Sequence, residues 1–135
     1  MDICLSPALL PYHDAKEKVV VVVDIFRASS TICSALSNGI TAVYPALDIE
    51  TAHSLKEDDS FITAGERGGQ KVEGFDIGNS PIEFLKNDHS GKKLILTTSN
   101  GTRCVLAAEK AGAKEVIIGS FINITDVEEY LKDKV

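Results

Sequence analysis

The chain has 135 residues and a net charge of −6, enough for one domain and not comfortably two, so a single domain over 1–135 is expected. With 44% hydrophobic and 25% charged residues it has the composition of a globular protein, which excludes a disordered one. Five Phe, three Tyr and no Trp, with no stripe of Lys and Arg among them, argue against nucleic acid as a partner.

No run reaches ~18 apolar residues and no basic segment precedes an apolar one at the start. Neither a membrane span nor a signal peptide is expected, and the cytoplasm is the default location. Cys4, Cys33 and Cys104 are odd in number and far apart, which fits a reducing compartment, and each reads as a small buried apolar residue.

Val19 to Val23 is a run of five β-branched residues without polar alternation. It predicts a strand over 19–24 buried on both faces, as in parallel sheets covered by helices. A helix over 29–37 follows, with Ile32, Ala35 and Leu36 on one face and Gly39 placed to end it. Residues 40–45 read as a second strand, Asp48 as the cap of a short helix carrying Ile49, Ala52 and Leu55, and 60–64 as a third strand. Gly65 to Ser80 is a long glycine-rich loop, after which Ser80 suits a helix cap and Pro81 a first turn.

Residues 93–98 form a fourth predicted strand, and Gly101-Thr102 open another helix. A fifth strand at 116–119 precedes a last helix that starts with the capping-box pattern Thr125-x-x-Glu128. Strands alternating with helices predict an α/β fold of about five strands, mainly parallel, with helices on both faces (α/β/α). The chain stops in a charged helix with no strand to cover the sheet edge. One half of something larger, a homo-oligomer or a partner chain would each supply that cover.

If the sheet is parallel, three polar loops leave it on one edge, where open α/β sheets place ligands. The first is Asp24-x-x-Arg27-x-Ser29-Ser30-Thr31. Its carboxylate suits Mg²⁺, its guanidinium suits phosphate, carboxylate or sulfonate, and the helix start favours an anion. The plainer reading is that Asp24 caps the turn and pairs with Arg27. The second loop has five glycines between Gly65 and Gly78, with Glu66, Arg67, Asp76 and Asn79 among them. Loops this long are often functional, although a flexible surface loop has the same composition. The third, Thr97 to Arg103, sets hydroxyls, an amide and backbone N–H groups at a strand–helix junction and can cradle an oxyanion or simply cap the helix. His13, His53 and His89 are scattered and read as solvated.

On the stretches VVVVVDIFRASSTI, AGERGGQKVEGFDIGNSP, LTTSNGTR and IIGSFIN, the chain resembles the 2-phosphosulfolactate phosphatase family of coenzyme M biosynthesis. The resemblance implies an α/β enzyme that uses Mg²⁺ to hydrolyse a small phosphorylated, sulfonated acid, giving sulfolactate and phosphate. It also implies a longer protein, of which this chain resembles the N-terminal half. The motif positions are Asp24, Arg27, Glu66, Arg67, Asp76, Asn79, Thr98, Asn100 and Thr102.

Asp24, with Glu66 or Asp76, is expected to bind the metal, and Asp24, Arg27, Glu66 and Arg67 to carry the chemistry. Ser29, Ser30, Asn79, Thr98, Asn100, Gly101 and Thr102 are expected to bind substrate and phosphate. The competing expectation is a truncated, non-catalytic anion-binding or interaction module.

Overall fold

The computed structural model describes residues 1–134. The described residues hold six strands: β1 (Val19–Val23), β2 (Ala42–Pro45), β3 (Phe61–Arg67), β4 (Gln70–Lys71), β5 (Lys93–Thr97) and β6 (Glu115–Gly119). Five helices alternate with them: α1 (Ala28–Ser37), α2 (Ile49–Leu55), α3 (Pro81–Lys86), α4 (Gly101–Lys110) and α5 (Ile124–Lys132). The strands form a four-stranded sheet in the order β2-β5-β3-β4 and a two-stranded sheet of β1 and β6. All pairings are parallel except β3 with β4.

The α/β class and the parallel pairing follow the expectation, and the division into two sheets refines it. α1 and α4 each rest against strands of both sheets and so bridge them. Along β5 the side chains alternate. Leu94 and Leu96 join Ala35, Phe84 and Ile62 on one face, and Ile95 joins Ala52, Phe61 and Phe75 on the other. α1 and α3 thus cover one face of the larger sheet and α2 the other, so the strands buried on both faces are β3 and β5.

The valine run is the exception. Val22 is its one fully buried residue and Val23 is 61% exposed, because β1 pairs with β6 alone.

Several local signals read as expected. Asp48 accepts the Thr51 N–H at 2.7 Å and starts α2, Gly39 takes φ +90° beyond the end of α1, and Pro81 occupies the first turn of α3. Others do not. β3 runs on into the glycine-rich segment, β4 folds back on it, and Ile77 bridges alongside Ala64, so part of the expected loop is sheet.

Ser80 stands at the α3 cap position without a side-chain bond there, while the Glu83 carboxylate accepts the Gly78 N–H at 2.8 Å. The capping box at Thr125 fails, since Asn123 precedes the helix and Thr125 lies in its first turn. Leu36 is exposed, off the buried face of α1. A 3-10 helix over Pro7–Tyr12, absent from the sequence reading, packs on α4.

Candidate active site

The three polar loops meet. A cavity of about 260 Å³ is lined by Asp24, Phe26 and Arg27 after β1, by Glu66 at the end of β3 with Gly69 and Asn79 beyond it, and by Thr98, Ser99 and Asn100 after β5. A wider hollow of about 480 Å³ lies by the carboxyl ends of α1 and α3, at Asn38 and Asn87. Helix dipoles disfavour anions there, whereas the smaller cavity faces two helix starts.

The first loop is tied by its own serines. Ser29 Oγ accepts the Asp24 N–H at 2.8 Å and donates to the Val22 carbonyl, and Ser30 Oγ donates to the Ile25 carbonyl at 2.9 Å. Both hydroxyls therefore close the β1–α1 turn and stand outside the cavity lining, so they hold the site and do not line it. The Asp24 and Arg27 side chains are left to the cavity, and no ion pair joins them among the described residues.

In the third loop, Thr98 Oγ1 accepts the Thr102 N–H at 3.1 Å, and Thr102 Oγ1 accepts the Thr98 N–H at 3.2 Å. Thr102 is buried by that exchange and does not line the cavity, whereas Thr98 does. Gly101 opens α4 where a Cβ would lie 2.3 Å from Ala28 Cβ and 3.1 Å from Asp24 Oδ2. The starts of α1 and α4 are thus pressed together beside the Asp24 carboxylate. Neither Arg27 nor Asn100, at the two cap positions, caps its helix with its side chain. Two positive dipole ends converge on one anionic group, which is a setting for cation and anion together.

The second loop divides its residues between roles. Glu66 Oε1 accepts the Ser99 N–H at 2.8 Å and Oε2 the Gly69 N–H at 2.9 Å. Burial acts to raise the Glu66 carboxyl, but the hydrogen bonds from Ser99 and Gly69 and the Arg67 charge together hold it below its ordinary value. Arg67 turns away from the cavity lining and donates to the Glu66 and Leu47 carbonyls and to Thr97 Oγ1, fastening the tips of β3, β2 and β5.

Asp76 also stands outside the lining. Its Oδ2 accepts the Thr63 N–H at 2.7 Å, the Thr63 hydroxyl at 2.8 Å and Lys56 Nζ at 3.0 Å. Burial raises this carboxyl, and the Thr63 N–H, Lys56 and the Thr63 hydroxyl together pull it down to about 2. Asn79 is 5% exposed, lines the cavity, and its Oδ1 has no hydrogen-bond partner among the described residues.

Sequence reasoning did not single out Phe26, Gly69 and Ser99, although each lies inside a motif. Phe26 is 90% exposed at the cavity wall. Two other readings shift. His89 is not solvated, since its Nε2 is buried and its ring sits edge-on to Phe84. Cys4 is exposed and Cys33 and Cys104 are half-buried, so none is a fully buried apolar residue. Burial, and after it the negative charge of Asp24, push the Cys104 thiol up, so it stays protonated beside the site.

A family model described as 2-phosphosulpholactate phosphatase matches residues 4–135. The chain belongs to the 2-phosphosulpholactate phosphatase family. It is similar to a probable 2-phosphosulfolactate phosphatase of Caldanaerobacter subterraneus, 46% identical over 122 residues, covering 88% of this chain and 50% of that one. A second, from Thermotoga maritima, is 44% identical over 126 residues, 93% of this chain and 54% of that one. A third, from Clostridium acetobutylicum, is 41% identical over 131 residues, 96% of this chain and 55% of that one. The chain spans about half the length of the curated relatives it matches.

In this member of the phosphatase family, no three acidic, His or Cys residues among those described stand close enough to hold a metal ion. Of the residues expected to bind metal, Asp24 with Glu66 or Asp76, Asp76 is held outside the cavity by Thr63 and Lys56. Among the described residues no donor reaches the Asp24 carboxylate, whereas both Glu66 oxygens take a backbone N–H. Mg²⁺ commonly binds through one or two carboxylates with waters and substrate phosphate filling the rest, and Asp24 fits that mode. No described helix is long and apolar enough to cross a membrane.

Proposed function

We propose that this chain takes part in Mg²⁺-dependent hydrolysis of 2-phosphosulfolactate to sulfolactate and inorganic phosphate, the reaction that the resemblance assigns to coenzyme M biosynthesis. The observation that carries the reading is the Asp24 carboxylate beside the joined starts of α1 and α4 with Arg27 lining the same cavity, neither side chain in an ion pair among the described residues. The proposed compartment is the cytoplasm, which keeps thiols such as Cys33 and Cys104 reduced.

In this mechanism Asp24 would hold the metal, and Arg27 binds the anionic substrate through its planar fork. Bound Mg²⁺ would neutralise charge on the phosphoryl oxygens. The N–H groups at the start of α4, with Thr98 and Asn100, orient those oxygens and meet the charge that builds on them. Arg67, Ser29, Ser30 and Thr102 fix the loops so that this arrangement exists before substrate arrives.

A second reading is an anion-binding module without turnover, favoured by the lack of a three-ligand metal cluster among the described residues. Phosphate release from 2-phosphosulfolactate, with and without a chelator, separates the two. Release that needs Mg²⁺ and falls in Asp24→Asn supports hydrolysis. Phosphate binding without release rejects it in favour of the module.

A further inference from the structure

We propose that Glu66 is a positioning residue for this site, not a metal ligand: its carboxylate clips the Ser99 turn to the Gly69 turn and so aims the start of α4 into the cavity. This deepens the hydrolase reading and rests on it for the chemistry of the ligand. The geometry is specific. One oxygen takes the N–H of Ser99 at 2.8 Å and the other the N–H of Gly69 at 2.9 Å, so the carboxylate plane is fixed between two loops 30 residues apart in the chain. Each oxygen already spends one of its two lone-pair directions on a backbone N–H, which commits the group to bridging the two turns.

The neighbouring bonds point the same way. Arg67, the next residue, ties Thr97 and Leu47, so the β3 tip fastens the end of β5 through Arg67 and the loop after it through Glu66. The loop that Glu66 holds runs directly into Asn100 and Gly101, whose close seat against Ala28 sets the two helix starts. Releasing Ser99 frees that turn while leaving Asp24 untouched. Loss of Glu66 is therefore felt by the anion before it is felt by the metal.

The test compares Glu66→Gln with Asp24→Asn on the intact chain. Calorimetric titration measures Mg²⁺ alone and inorganic phosphate in the presence of Mg²⁺, and amide hydrogen exchange reads Ser99 and Gly69 directly. The Gln side chain keeps one acceptor and loses the other, so phosphate affinity is expected to drop about tenfold. Mg²⁺ affinity stays within about twofold on the same reasoning, since no ligand is removed. Exchange at Ser99 or Gly69 speeds up. Asp24→Asn gives the reverse pattern, losing Mg²⁺ first.

Equal loss of Mg²⁺ affinity in the two variants overturns the proposal, as does unchanged exchange at both amides. If Glu66→Gln does not fold, Glu66→Asp serves, because it keeps the charge and is too short to span both turns. If the native chain binds neither Mg²⁺ nor phosphate, the hydrolase reading falls, and the exchange measurement still decides whether Glu66 holds the loops.

Discussion

Gly101 sits so near Ala28 that a Cβ on the glycine would lie 2.3 Å from the alanine Cβ. Neither group can swing aside, because each is the first carbon of its side chain. Gly101→Ala must therefore part the starts of α1 and α4. The expected cost is about 1–3 kcal/mol of stability, as for other overpacked contacts. Denaturant unfolding measures that loss, and phosphate affinity should fall with it. A variant as stable and as tight-binding as the native chain would mean that the two helices do not need to touch.

Arg27 gives the opposite separation of stability from binding. Its guanidinium lines the cavity without an ion pair among the described residues, so Arg27→Ala should change stability by no more than about 0.5 kcal/mol. A charge-assisted contact to phosphate is worth about 1.5–3 kcal/mol, so binding should weaken at least tenfold. Arg27→Lys recovers part of it, losing the planar fork and keeping the charge. Parallel melting and phosphate titration check the pair.

Acid stability should report on Asp76. Its folded pKa of about 2 lies below the ordinary 3.8, so the group favours the folded state wherever it is ionised. The contribution is whole above 3.8 and is lost as pH falls toward 2. The carboxylate is 42% exposed, so solvent screening shrinks the effect. Asp76→Asn should be less stable at neutral pH and should show a flatter decline between these two values. Urea unfolding across that range measures both slopes, and identical slopes would remove Asp76 from the account.

Phe84 is 1% exposed and holds α3 against α1 and β5 in the larger core cluster. Phe84→Ala should cost about 3–5 kcal/mol by leaving a cavity, while Phe84→Leu should cost less. The loss should appear in the unfolding midpoint without a change in its denaturant slope. α3 begins two residues after Asn79, so loosened binding is a second expected effect.

The convergence of the three loops was legible in the sequence because it needs only parallel strands, and parallel strands follow from alternation with helices. Asp48, Gly39 and Pro81 were legible for a local reason, since each satisfies backbone geometry within a few residues. The burial of the valine run was not, because five valines look alike whether two strands flank them or one.

The hydroxyls of Ser29, Ser30 and Thr102 carry the same chemistry whether they meet a ligand or a backbone carbonyl, and only the folded turn decides. Asp76 was misleading in the same way. Its partners are Thr63 and Lys56, 13 and 20 residues distant, and no spacing rule announces them. Glu66 was picked out by residue type, while its two backbone donors come from loops that meet only in three dimensions.

The protonated Cys104 thiol and the exposed Cys4 thiol give the molecule two sulfurs of unlike temper. A maleimide dye will meet Cys4 first, since exposure and thiolate character govern alkylation. A fluorophore can therefore be hung on the amino-terminal segment at neutral pH while the sulfur beside Asp24 stays unlabelled.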